Sequence, residues 1–341
     1  MLINMLYIMI STEADLDRYM ETQSCKTKLS ITKLHGHTRS ITSISFIKDS
    51  LIITTSKENT PMLWDYKLNK RLAIMEGHIG AVLCSTSNNN DLIVTGSADQ
   101  SICIWNIEGK LLNKIEHEAR IRDMYMSVDN KLVVTTDNMF GETPSILVYQ
   151  ISDDGLTYTM ETRKEINVKI NKVILSKDNK YIYFCTEDGH VCILNLNDNT
   201  TVSKIIHLNA SCKTLKLDPN EKMLLTGSND KTSKLLSIKD LSIISVYTSS
   251  CPINDVISVD SNVKEHVVVA GGIDAANVTT SNDGKFDITF YSKTLEDRLG
   301  SFTTHFGPIN CLDITKDSKS FASGGEDGFV YIYTFDDKYI S

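Results

Sequence analysis

Two stretches decide the fold. Gly36-His37 leads through Ser56-Lys57-Glu58-Asn59 to Met62-Leu63-Trp64-Asp65, and Gly77-His78 leads through Ser97-Ala98-Asp99-Gln100 to Ile102-Cys103-Ile104-Trp105-Asn106. The Gly-His pairs stand 41 residues apart. In each stretch an acidic residue in a turn follows the histidine by 21 positions, and a tryptophan follows the acid by six. Agreement of both spacing and residue type marks a repeated supersecondary unit, which buries its apolar face only by stacking on its neighbours.

This Gly-His to Trp-Asp unit resembles the WD40 repeat, and the resemblance implies four-stranded blades set radially in a closed propeller. Weaker copies continue along the chain. Asp188 leads to Leu194, Asp230 to Leu236 and Asp327 to Tyr333, each six positions on. His207 and His305 precede Asp230 and Asp327 by 23 and 22 positions. A further unit is placed at residues 135–150, with an insertion at 140–145, and one more between Asp230 and Asp327. Seven units of about 44 residues account for the chain beyond its first ~30. The expected fold is therefore an all-β, seven-bladed propeller over residues 28–341. Residues 1–27 are expected to be an extension, disordered or partly helical, with residues 13–23 the helical candidate.

The strand pattern supports this. Residues 41–46 alternate apolar and polar side chains, and 51–54, 92–95, 132–135, 181–185, 224–226 and 267–270 are apolar, β-rich runs ending at small or acidic turn residues. The last unit ends too early to supply its own outer strand. Residues 28–34, with Leu29, Ile31 and Leu34, are predicted to fill that place beside residues 328–334, which removes an open sheet edge.

Composition narrows the function. The 341 residues are 41% hydrophobic and 23% charged, which excludes collagen-like and wholly disordered chains. Net charge is −8, from 35 basic and 43 acidic residues, the wrong sign for a protein whose task is gripping phosphates. Direct nucleic-acid binding is not expected. The eight cysteines form no C-x-x-C pair and are expected to be reduced, buried thiols of a cytoplasmic protein. No run is long and apolar enough for a membrane helix, and residues 1–10 lack the basic start of a secretory signal. His35-Gly36-His37 has no third metal ligand in view, and no phosphate-binding G-x-x-x-x-G-K-[ST] loop occurs. Neither metal nor cofactor is expected. Asp153-Asp154 and Asp336-Asp337 read as solvated turns.

His78, Ser97 and Asp99 have the residue types of a hydrolytic triad. Their degraded repetition in other units argues against catalysis. The WD40 resemblance implies instead a structural tetrad of His78, Ser97, Asp99 and Trp105, in which each group satisfies another's buried donors and acceptors. In the first unit (His37, Ser56, Glu58, Trp64) glutamate is one methylene too long, so that tetrad is expected to be disturbed. The seventh (His305, Gly325, Asp327, Tyr333) lacks the hydroxyl link.

The last two units carry a more specific pattern: Ala270-Gly271-Gly272, Ala275, Val278-Thr279-Thr280, Gly284-Lys285-Phe286 and Phe290-Tyr291, then His305-Phe306-Gly307-Pro308-Ile309-Asn310 and Ser323-Gly324-Gly325-Glu326-Asp327-Gly328. Its order and spacing resemble the WD-repeat subunit i family of eukaryotic translation initiation factor 3. Thr304 departs from it, standing where a glycine usually precedes the last histidine. The resemblance implies a non-enzymatic scaffold that binds the b and g subunits of the factor and supports 40S preinitiation complex assembly and mRNA recruitment. A partner groove is expected on the fifth and sixth blades, where residues 241–247 present Ile243, Ile244 and Tyr247, with Asp230 in the tight turn. The alternative is another cytosolic WD40 adaptor, such as a signalling-receptor-associated or ubiquitin-ligase substrate module. The glycine-rich and His-Phe-Gly-Pro pattern argues against that alternative.

Overall fold

In a computed structural model, residues 29–48, 50–137, 143–218, 220–260, 265–273 and 286–336 are described. They form seven four-stranded antiparallel sheets and no helix. Blade 1 runs from the inner strand Ile41–Phe46 through Leu51–Ser56 and Met62–Asp65 to the outer strand Lys70–Ile74. Blades 2 to 6 repeat that meander, with inner strands Val82–Ser87, Ile121–Met126, Ile170–Leu175, Cys212–Leu217 and Ile253–Asp260. Blade 7 is composite. Ile309–Ile314, Ser320–Gly325 and Val330–Phe335 take Leu29–Leu34 as their outer strand, with Leu29 opposite Phe335 and Leu34 opposite Val330. The expected closure by the N-terminal strand is therefore present. The extension at 1–27, the loop at 277–283 and the tail at 339–341 lie outside the described residues. The insertion expected at 140–145 ends earlier, because Ser145 already opens the strand Ser145–Ile151.

Seven buried apolar clusters hold the ring, one at each seam between blades. At the closing seam Ile332 and Val330 of blade 7 pack with Ile41, Ile52 and Trp64 of blade 1. The second strand of each blade is apolar on both faces because one face meets each neighbouring blade, so its sequence is a continuous apolar run.

Every inner strand is bulged at the same place, between its first and third residues. The bulged residues are Thr42, Leu83, Arg122, Asn171, Lys213, Asn254 and Asn310, and all seven line a central channel of about 610 Å³. A bulge re-aims its side chain, and here it also ties blade to blade. Thr42 Oγ1 donates to Val82 O at 2.6 Å, Asn171 Nδ2 to Cys212 O at 2.8 Å, Asn254 Nδ2 to Ile309 O at 2.9 Å and Asn310 Nδ2 to Ile41 O at 2.9 Å. The last of these spans the closing seam, where Glu326 also accepts from Lys57 Nζ at 2.7 Å and from Ser40.

Candidate functional site: polar tetrads and exposed blade edges

In blade 2 the Trp105 indole N–H donates to Thr95 Oγ1 at 2.8 Å, and the Thr95 hydroxyl meets His78 Nε2 at 2.8 Å. His78 Nδ1 faces Asp99 Oδ2 at 3.2 Å and Ser101 Oγ at 3.0 Å. The chain of donors fixes the tautomer: Nδ1 carries the proton and Nε2 accepts. Asp99 also accepts from the Ile79 N–H at 2.8 Å and from the Ser101 hydroxyl at 2.6 Å. Burial alone would raise its carboxyl; the contacts from Ser101, Ile79, His78 and Ser97 outweigh burial and bring the pKa to about 2. Burial lowers the His78 pKa against the pull of Asp99. At neutral pH the site is thus a neutral imidazole on an ionised carboxylate.

This corrects one expected member. The hydroxyl between histidine and tryptophan belongs to Thr95, not Ser97. Ser97 lies two residues on along the strand and donates to Ala81 O at 2.9 Å. The hydroxyl that meets His78 Nε2 is that of Thr95, fully buried and already accepting from the Trp105 indole, so it is not presented to a substrate as a triad nucleophile is.

Two other expectations are corrected in the same way. In blade 1, Glu58 reaches His37 Nδ1 at 2.9 Å, and Thr54 links His37 Nε2 at 2.8 Å to the Trp64 indole at 2.9 Å. The extra methylene is taken up because the second carboxylate oxygen accepts from the Thr38 N–H at 2.9 Å. In blade 7, Ser323 supplies the link thought missing at Gly325: its Oγ lies 2.7 Å from His305 Nε2 and 2.9 Å from the Tyr333 hydroxyl. Thr304 Oγ1 meets the same hydroxyl at 2.5 Å. Blade 5 keeps a three-membered version, His207 with Asp230 at 2.8 Å and Thr226 at 2.9 Å, and Leu236 in place of the indole. Spacing alone does not choose between the hydroxyls: Thr54 and Thr95 follow their histidine by 17 positions, and Ser56 and Ser97 follow it by 19. The pattern also has a packing reason in blade 6. A Cβ on Gly271 would stand 2.1 Å from Pro252 O, and Gly272 holds φ at +146°.

The expected partner-binding residues separate. Ile243 and Ile244 are exposed, at 48% and 50%. Tyr247 is fully buried, which overturns its expected display. The outer strand Ile243–Thr248 is bulged opposite Leu235/Leu236, so both isoleucines face out, and the alternation then turns Ser245 and Tyr247 inward. Tyr247 packs on Tyr291 and donates its hydroxyl to Lys293 O at 2.7 Å. Asp230 keeps a quarter of its side chain exposed while bonded to His207 and Thr232. Sequence reasoning missed Val246 (37% exposed) and, on the outer strand of blade 4, Val202 and Ile205 (59% and 52%). Their exposure depends on which face the outer strand turns to solvent. All seven described cysteines are free and buried. Among the described residues no helix is long and apolar enough to cross a membrane.

The family model EIF3I matches residues 31–341. The chain is similar to eukaryotic translation initiation factor 3 subunit I of Debaryomyces hansenii, 33% identical over 330 residues that cover 90% of this chain and 93% of that one. The same-named proteins of Nematostella vectensis and Saccharomyces cerevisiae are 32% and 31% identical, again over 90% of this chain and over 96% and 93% of theirs. With propeller, closing strand and last-blade pattern all in place, the chain belongs to the EIF3I family of translation initiation factor subunits.

Proposed function

We propose that the protein is a cytoplasmic, non-enzymatic scaffold subunit of initiation factor 3, binding the b and g subunits and thereby supporting 40S preinitiation complex assembly and mRNA recruitment. One observation carries the choice of surface. The outer strands of the neighbouring blades 4 and 5 expose Val202, Ile205, Ile243, Ile244 and Val246, five apolar side chains on two sheet edges. Exposed apolar groups gathered in this way suit a partner segment laid along the edge. Asp230 acts from the turn of the same blade, and Tyr247 acts from beneath, by holding the strand against blade 6. The net charge of −8 suits a basic protein segment better than bare RNA. The test is co-purification of the Ile243→Asp, Ile244→Asp variant with tagged b and g subunits. Loss of one or both, with unchanged thermal unfolding, is expected; retention of both at wild-type level overturns the choice of surface. Asp230→Lys and Tyr247→Ala are unsuited to this test because each also breaks an internal contact.

A further inference from the structure

The outer strand of blade 1, Lys70–Ile74, runs against the charge of the chain. The protein carries a net charge of −8, yet this strand holds Lys70 and Arg71 and no acid. No other outer strand has a net charge above +1. Lys67, in the turn before the strand, adds a third cation. Two acids flank the stretch without neutralising it. Asp65 is committed to the turn, where its carboxylate accepts from the Lys67 and Leu68 N–H groups at 3.0 Å and from Ser50 at 2.9 Å. Glu76 lies past the end of the strand, beyond the buried Met75. The Lys67 and Lys70 side chains are exposed and meet no partner among the described residues. Arg71 gives one N–H to Met62 Sδ at 3.9 Å and stands 5.9 Å from the Trp64 ring, so its remaining donors are left to solvent.

Apolar side chains stand among these charges. Leu68, Leu72 and Ile74 are exposed at 72%, 47% and 45%. A bulge opposite Leu63/Trp64 leaves Leu72 without a cross-strand partner, and Ala73 turns inward while Leu72 and Ile74 on either side of it face out. Cations and a bulge are ordinary guards of a free sheet edge. A guard needs no exposed leucine or isoleucine, and three within seven residues form a patch that gains by being covered. The bulge also selects what covers it. An interrupted ladder is a poor template for an added strand, whereas a helix docks through its side chains. Residues two apart on a strand are separated by about 6.6 Å, and residues four apart on a helix by about 6 Å. Apolar side chains at that helical spacing therefore match Leu72 and Ile74, and acids one turn further on match the cations.

We propose that the outer edge of blade 1 docks an acidic amphipathic helix of a protein partner. Two of its apolar side chains, one turn apart, cover Leu72 and Ile74, and its carboxylates meet Lys67, Lys70 and Arg71. Tyr66 is buried and the strand has no aromatic residue, so no ring is offered for a base to stack on, which disfavours single-stranded RNA. Blade 1 is three blades from blade 4 in one direction round the ring and three from blade 5 in the other. The site is thus separate from the docking edge proposed above, and failure of either leaves the other standing.

The test is fluorescence anisotropy with the full chain. The probe is a labelled peptide of about 16 residues, built of Glu and Ala with two leucines four positions apart. Saturable binding is expected. It should be about tenfold weaker with Gln in place of every Glu, with Ala in place of both leucines, with Leu72→Asp, and with Lys67→Glu and Lys70→Glu combined. All three positions are exposed, and the variants should unfold at the wild-type temperature; Leu72→Asn carries the test where Leu72→Asp does not. The Ile243→Asp, Ile244→Asp variant should bind the probe as wild type does. No saturable binding overturns the proposal, as does an equal response to the Gln peptide or to the peptide without leucines. Loss of binding in the Ile243→Asp, Ile244→Asp variant in place of the blade 1 variants also overturns it, by putting the helix on blades 4 and 5. So does tighter binding of an oligouridylate or of phosphatidylserine vesicles. Binding that appears only when Glu13, Asp15 and Asp17 are all replaced by Lys overturns it as well, because this chain's own first residues then hold the edge.

Discussion

Blade 7 replaces the Gly-Trp pair of blades 1 and 2 by Thr304 and Tyr333, and the geometry requires the two changes to be coupled. A Cβ on Gly77 would stand 2.8 Å from Trp105 Cη2, and one on Gly36 would stand 2.7 Å from Trp64 Cη2. Only a residue without a side chain fits under the indole. Tyrosine lacks the second ring, and in blade 7 the freed space holds Thr304, whose hydroxyl bonds the Tyr333 hydroxyl at 2.5 Å. Tyr333→Trp alone forces the indole onto the Thr304 side chain, an overpacking cost of ~1–3 kcal/mol. Thr304→Gly alone removes one hydrogen bond, ~1 kcal/mol, and adds the backbone-entropy cost of glycine, ~0.5–1 kcal/mol. The double variant recreates the arrangement of blade 2, with the indole N–H donating to Ser323. It should lie within ~1 kcal/mol of wild type, giving a coupling of ~2 kcal/mol or more in a double-mutant cycle. Urea unfolding of the four proteins measures it. Additive losses would refute the steric account. The reverse exchange, Gly77→Thr with Trp105→Tyr in blade 2, should behave likewise.

Three further outcomes are expected. Thr95→Val strands both His78 and Trp105 and should cost ~2–4 kcal/mol, His78→Ala ~1–3 kcal/mol, and Ser97→Ala ~1 kcal/mol or less; equal losses for Thr95 and Ser97 in thermal unfolding would contradict the assignment of the link. The His117 imidazole titrates at about 4 in the folded protein against 6.5 unfolded. The unfolded chain therefore binds more protons through that window, and stability is full above pH 6.5 and falls below it, by up to ~3 kcal/mol near pH 4. His117→Leu should lose that much less between pH 6.5 and 4, as read from urea midpoints at each pH. Lys293 Nζ is buried between Asp218 at 2.5 Å and Asp260 at 2.8 Å. Lys293→Met leaves two buried carboxylates facing each other and should cost ~3–5 kcal/mol, and a variant as stable as wild type at pH 7 would sink that reading.

The architecture was legible because its signals are periodic. Gly-His, the acidic turn and the tryptophan recur at fixed spacing, and the strand left over at 28–34 followed from counting. What was not legible depends on which way a side chain turns. Ser97 and Thr95 are two residues apart on one strand and both are hydroxylated; only the placement of that strand against the loop 78–81 of its own blade decides that Thr95 meets the histidine and Ser97 the Ala81 carbonyl. Tyr247 was misplaced by a bulge that sequence alternation does not reveal. His117 stands four residues before Ile121, as His78 stands before Val82. It escaped notice because its glycine, threonine and tryptophan are absent, and a lone histidine carries no spacing.

The seam between blades 5 and 6 is built unlike the others, and its chemistry bears on the proposed docking edge. Two residues past the indole position the chain has Tyr66, Ile107, Ile151, Leu196, Ile238 and Phe335 in the other six blades, and Lys293 in blade 6. A buried ammonium is a poor way to gain stability, since desolvation cancels most of the attraction. What it supplies is direction. Lys293 fixes the ends of two inner strands through Asp218 and Asp260, while its carbonyl takes the Tyr247 hydroxyl, and the Tyr291 hydroxyl donates to Thr248 O at 2.7 Å. These bonds clamp the strand Ile243–Thr248 from behind, at Tyr247 and Thr248, so that Ile243, Ile244 and Val246 are held outward on a backbone with little freedom left to lose. Binding to a pre-ordered edge costs less entropy than binding to one that must be fixed on contact, which gives an apolar side chain a reason to stand exposed and a buried charge a reason to stand behind it.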